Sequence, residues 1–147
     1  MHKPSAQLLL TGTMAVLVLG GCKTMAPDNA LEKVVYHVND SDSATAALRN
    51  VGNHLDATDS KAKIVIVTHA KGIDFLLDGA QDKNGNPYNI PVEKLKARGV
   101  DFRVCAITLK NRNIDPKTVI PEAQIVPSGV AEIGKLQSRE GFVYLKP

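Results

Sequence analysis

The chain predicts an α/β domain, a three-layer α/β/α sandwich around a mostly parallel five-stranded sheet, on three observations. Short β-branched apolar runs alternate with stretches of helical period, the signature of βα units. The clearest runs, KVVYHV and KIVIVTH, are apolar almost throughout, as strands covered on both faces are. Glycine, proline and asparagine punctuate the intervals between them.

The first strand is KVVYHV, Lys33 to Val38. NDSDS follows with several helix-capping candidates, and Ala44, Ala47, Leu48, Val51 and Leu55 then recur at helical spacing. KIVIVTH, Lys63 to His69, is the second strand, and IDFLLDGA supplies a helical turn or two. QDKNGNPYN is a loop, with Asn-Gly and Asn-Pro marking turns. Pro91 suits the first position of a helix carrying Val92 and Leu95, and Gly99 ends it. VDFRVCAI is the third strand, with Phe102, Val104 and Ala106 on the face opposite Arg103 and Cys105. Thr108 is placed to cap a short helix over residues 109–113, which Pro116 and Pro121 prevent from continuing. QIVP is a fourth strand, Ser128 caps a helix bearing Val130, Ile133 and Leu136, Gly141 stops it, and FVYL closes the sheet. Right-handed crossovers would place helices on both faces, while the strand order is not legible in the pattern.

Residues 1–21 are predicted to be a signal peptide. Lys3 supplies charge, an apolar run extends from Leu8 to Leu19, and LGGC closes it at Cys22. The run is too short for a permanent span. Leucine, two glycines and cysteine in that order look like a bacterial lipobox, which makes Cys22 the lipidated first residue of the mature chain. Lys23 after the anchor favours the outer membrane, with the protein on the periplasmic side of an oxidising compartment. Residues 22–32 have tether composition, and residues 33–147 form one domain. Without Lys3, the 18 basic residues shrink to a slight excess over 15 acidic ones. The basic residues are scattered, so no nucleic-acid partner is expected.

Chemistry in a parallel sheet gathers at the carboxyl ends of strands. Three groups lie there on this assignment: His37 with Asn39 and Asp40, His69, and Cys105. Adjacent strands lie ~4.8 Å apart, so side chains on neighbouring ends can meet. Cys105, the one free thiol once Cys22 is lipidated, admits two readings. A cysteine between Val104 and Ala106 is an ordinary core residue; a thiol leading into a helix start with Lys110 and Arg112 nearby has a stabilised thiolate and becomes a nucleophile. His69 is either a histidine satisfied by a loop carbonyl or the base beside Cys105. A zinc site on His37, His69 and Cys105 lacks a short-spaced ligand pair, and neither a metal nor a cofactor is expected. Asp74 and Asp78 read as a solvated face, and His54 as a solvent-side histidine without a role. GxGxxG, a complete phosphate-binding GxxxxGK[ST], GxSxG and CxxC are all missing, which excludes the common nucleotide, hydrolase and thioredoxin-type sites.

Taken together, KVVYHV, KIVIVTHAKGIDFLL, GVDFRVCAITLKNRNI and AQIVPSGVAEIGKLQSREGFVYLKP resemble the DsrE/DsrF-like family. The resemblance implies a small α/β/α domain that assembles into homo-oligomers, often trimers or hexamers. In its sulfur-relay members a cysteine matching Cys105 takes up sulfur as a persulfide and passes it on. Cys105 would then accept sulfane sulfur from a donor and hand it to an acceptor protein. Lys110, Arg112 and the helix start would favour the thiolate, His69 would assist proton transfer, and His37 and Asn39 would line the site. Asn113 stands where relay members tend to have glycine. The alternative is a non-enzymatic oligomeric module of the same fold that binds a small ligand or protein, with Cys105 inert.

Overall fold

The computed structural model describes residues 31–147. The lipobox, Cys22 and most of the tether lie outside the described residues. Five strands form one sheet: β1 (Glu32–Val38), β2 (Ala62–Thr68), β3 (Asp101–Cys105), β4 (Ala123–Val126) and β5 (Val143–Leu145). Their spatial order is β4-β3-β2-β1-β5, and every pairing is parallel. Four α-helices connect them: α1 (Ala44–Ala57), α2 (Asn89–Ala97), α3 (Ala106–Asn111) and α4 (Gly129–Glu140). A 3₁₀ segment, Ala70–Leu76, follows β2.

The strand order determines the layering. Each step from β1 to β4 moves the same way across the sheet, so right-handed crossovers keep α1, α2 and α3 on one face. The return from β4 to β5 runs the other way and carries α4 to the opposite face. The larger core lies under the first layer and includes Val34, Ile64, Ile66, Phe75, Phe102 and Val104 with Leu48, Leu55 and Val92. The smaller one joins Val35, Val65 and Val67 to Ile133, Leu136 and Phe142. The three-layer α/β/α architecture expected from the sequence is therefore present, with a sheet that is parallel throughout.

Several local expectations hold for the physical reasons given. The Ser128 side chain accepts a hydrogen bond from the Ala131 N–H and caps α4, and Gly141 ends it in the left-handed region at φ +73°. Asn113 has φ +53°, and asparagine is among the few residues that tolerate this conformation.

Others are corrected. The third strand stops at Cys105, and α3 begins at Ala106, so Ala106 lies on a helix rather than on a sheet face. Cys105 itself is the N-cap residue of α3, and Thr108 lies inside the first turn. Pro91 is the third residue of α2 rather than its first. His54 is not on the solvent side: it lies half-buried between the Tyr36 hydroxyl at 3.0 Å and the Glu32 carboxylate at 3.1 Å. Among the described residues no helix is long and apolar enough to cross a membrane.

Candidate functional site

His37, His69 and Cys105 lie on the carboxyl side of three adjacent strands and on the face that α4 covers. His37 follows the parity of Val35, His69 that of Val65 and Val67, and Cys105 that of Arg103, whose guanidinium pairs with Glu132 on α4. The chain returns to this edge once more, where Ser128 and Gly129 start α4. A Cβ on Gly129 would lie 3.2 Å from the Cys105 Cβ and 3.3 Å from the His69 Cβ. Glycine at this position thus lets the helix start descend between the thiol and the imidazole.

Cys105 is 4% exposed. Burial alone pushes its thiol pKa up, because a low-dielectric site disfavours the thiolate. Opposing this are the Gly129 N–H, the Thr108 side chain and the N–H groups of Thr108 and Ile107, polar groups beside the sulfur that favour the thiolate although the Cys105 side chain accepts no helix-capping hydrogen bond. Their combined effect prevails, and the pKa lies below the ordinary cysteine value. Two helix starts therefore converge on one sulfur, α3 through Ile107 and Thr108 and α4 through Gly129. The first-turn N–H groups of a helix have no partner within it, so they are free to serve an anion. Thr108 is itself held in place: its Oγ1 accepts from the Ala70 N–H at 3.0 Å, which leaves its hydroxyl proton for the thiolate.

The two histidines face each other, with Nε2 to Nε2 at 2.7 Å, and His37 Nδ1 lies 2.7 Å from the Tyr144 hydroxyl on β5. Burial lowers the pKa of His37, and the nearby charges of His69 and Lys146 lower it further; burial and Lys146 likewise lower that of His69. Both rings are thereby kept neutral near pH 7, the form in which an imidazole nitrogen can take a proton.

The basic residues expected to help the thiolate lie elsewhere. Arg112 ends α3 and binds the Asp74 carboxylate at 2.6 Å and the Ala70 carbonyl at 3.0 Å, so it braces the 3₁₀ segment after β2. Lys110 is exposed on α3, and neither cation is among the groups that lower the Cys105 pKa. Asp74 is accordingly a half-buried ion-pair partner rather than a solvated carboxylate. Asn39 follows β1, its Cα so near Gly72 that a Cβ there would come within 2.8 Å of it and within 2.1 Å of the Val38 carbonyl oxygen. Gly72 is what lets the 3₁₀ segment cross the end of β1.

Gly129, Thr108 and Tyr144 were not singled out for the site by sequence reasoning. The available signal for Gly129 was a Ser-Gly helix start after the fourth strand. Tyr144 had none, because its place beside His37 follows from the pairing of β5 with β1. Among the described residues no group of three or more His, Cys, Asp or Glu side chains is arranged to hold a metal ion. A groove of about 850 Å³ lies away from Cys105, between α1 and α2, with Leu48, Tyr88, Ile90 and Leu95 in its lining.

The chain was compared with known proteins. It is similar in structure to MTH1491, a protein of unknown function from Methanobacterium thermoautotrophicum, with 28% identity and a TM-score of 0.68 over 79% of this chain and 99% of that one. It also resembles the ychN protein from E. coli in fold, at 19% identity and a TM-score of 0.61 over 78% of this chain and 99% of that one. No curated protein matches it. The model of the DsrE/DsrF-like family matches residues 32–147, every strand and helix described above. On that match, the chain belongs to the DsrE/DsrF-like family.

Proposed function

We propose that this protein is a lipid-anchored, extracytoplasmic sulfur carrier in which Cys105 accepts sulfane sulfur as a persulfide and relays it to an acceptor. The observation that carries this reading is the close approach of the α4 start at Gly129 to Cys105, which together with the Ile107 and Thr108 N–H groups lowers the thiol pKa and favours the thiolate. Family membership supports it, since sulfur relay is an activity of this family. The lipobox ending at Cys22 supports the location.

The transfer needs no redox partner. The Cys105 thiolate attacks the outer sulfur of a donor such as thiosulfate, a new S–S bond forms on Cys105, and the donor's S–S bond breaks with its electron pair leaving on sulfite. An acceptor thiolate then attacks the outer sulfur of the persulfide and releases Cys105 as thiolate. Neutral His69 beside Cys105 takes the proton when the resting group is a thiol.

Homo-oligomerisation belongs to the same proposal. Among the described residues only α4 covers its face of the sheet, while Val130 on α4 is 66% exposed and Val143 and Leu145 form an exposed apolar edge. A second copy of this chain is the occupant that family membership points to.

Mass spectrometry of the protein after treatment with thiosulfate or polysulfide tests the central step. Adducts of one or more sulfur atoms on Cys105, abolished in Cys105→Ser, are expected. No adduct on Cys105 under conditions that load a control thiol would leave the non-enzymatic binding module as the better reading.

A further inference from the structure

The two short contacts at His37 form an unbroken line from Tyr144 through His37 to His69, and the Cβ atoms of His69 and Cys105 both lie against the Gly129 position. We infer that Tyr144, His37 and His69 are a proton relay that connects the Cys105 sulfur to solvent and reverses direction each time the thiol ionises. The inference deepens the reading of Cys105 as a nucleophile and rests on it.

The argument is one of proton counting. At an Nε2 to Nε2 separation of 2.7 Å, only one of the two facing nitrogens can carry a proton, so the tautomer of one ring dictates that of the other. The His37 Nδ1 contact ties the same choice to Tyr144. With His69 Nε2 engaged by His37, Nδ1 is the nitrogen left free for Cys105, and the inferred relay requires the two side chains to close a last hydrogen bond that this structure does not form. Two arrangements satisfy every contact. When Cys105 is a thiolate, Tyr144 O–H donates to His37 Nδ1, His37 Nε2–H donates to His69 Nε2, and His69 holds its proton on Nδ1, toward the sulfur. When Cys105 is a thiol, S–H donates to His69 Nδ1, His69 Nε2–H donates to His37 Nε2, and His37 Nδ1–H donates to the Tyr144 oxygen.

Passing from the first arrangement to the second takes up one proton. Water gives it to Tyr144, Tyr144 gives its own to His37, His37 passes one to His69, and His69 delivers one to sulfur. Neither ring becomes an imidazolium, which agrees with burial and the Lys146 charge disfavouring charged rings. The other groups around the sulfur are the Gly129 N–H from α4, and the Ile107 and Thr108 N–H groups with the Thr108 hydroxyl from α3, none of which changes charge. Tyr144 is 38% exposed, so the outer end of the line reaches solvent while Cys105 is buried. In this arrangement His37 and Tyr144 are positioning residues that act through His69.

The test is nitrogen NMR of the ¹⁵N-histidine-labelled protein over the pH range in which Cys105 titrates, for wild type, Cys105→Ala, Tyr144→Phe and His37→Gln. In wild type, His69 should move from Nε2–H to Nδ1–H and His37 from Nδ1–H to Nε2–H as pH rises, at one midpoint shared with the thiol. Cys105→Ala should hold one tautomer pair throughout. Tyr144→Phe should uncouple His37 from the thiol, and His37→Gln should abolish the switch on His69. Fixed tautomers through the thiol titration, imidazolium formation at that midpoint, or a switch that survives in Cys105→Ala would overturn the relay. Sulfur adducts without the switch would sink the relay alone; the switch without adducts would sustain the relay and sink sulfur transfer.

Discussion

A methyl group at position 129 would sit 3.0 Å from the Thr68 carbonyl oxygen and between the Cβ atoms of Cys105 and His69. Those separations are tight rather than impossible, so Gly129→Ala should fold. The helix start must back away by a few tenths of an ångström, which lengthens the Gly129 N–H contact to the sulfur. The expected result is a higher Cys105 pKa and roughly 3- to 10-fold slower alkylation at pH 7, given that a charge-assisted hydrogen bond contributes about 1 kcal/mol or more; thiol titration of the variant reads this directly. At this scale the helix start that follows Cys105 was legible in the sequence. The change from apolar to polar and basic residues after Cys105 correctly signals a helix start at the strand end. Which groups serve the thiolate was not legible, because Lys110 and Arg112 are conspicuous in a sequence whereas backbone N–H groups belong to every residue. Arg112 is drawn instead to Asp74, whose partnership depends on where the 3₁₀ segment crosses the sheet.

At the scale of elements, α4 connects the site to the sheet beneath it. Its first residue serves Cys105, and one turn later Glu132 pairs with Arg103 of β3, the two side chains 12% and 15% exposed. Arg103 Nε has no partner, so this guanidinium is incompletely satisfied and depends on the Glu132 contact. Glu132→Ala leaves a largely buried cation with only the Asp101 carboxylate, 3.7 Å away, as partner and should cost about 3 kcal/mol. Adding Arg103→Met should recover much of that loss, because the stem still packs and no charge is stranded. Urea unfolding of the two single variants and the double variant measures the coupling. The period-based reading found every strand and all four helices, since each carries its own apolar pattern. It misjudged α3, where Thr108 looks like a cap by composition; β3 had already ended at Cys105, and the Thr108 hydroxyl was occupied by the Ala70 N–H.

For the whole molecule, the order β4-β3-β2-β1-β5 brings together residues far apart in the chain: His37 and Tyr144 are separated by 107 positions and meet because β5 pairs with β1. Strand order is the part of the fold that local pattern does not encode, and for that reason the Tyr144 end of the site was invisible beforehand. The same topology leaves one sheet face under a single helix, with apolar β5 at its margin. Light scattering should accordingly find an assembly of several copies, and Val143→Lys with Leu145→Lys should shift it toward monomer; a wild-type monomer at micromolar concentration would contradict self-association. The functional account depends on Cys105 being a reactive thiolate rather than a packing residue. The most direct measurement is its rate of alkylation by iodoacetamide as a function of pH, with Cys105→Ser as the blank. A midpoint clearly below the ordinary cysteine value of about 8.5 is the predicted result, and a midpoint at or above that value, or no reaction without unfolding, would contradict it.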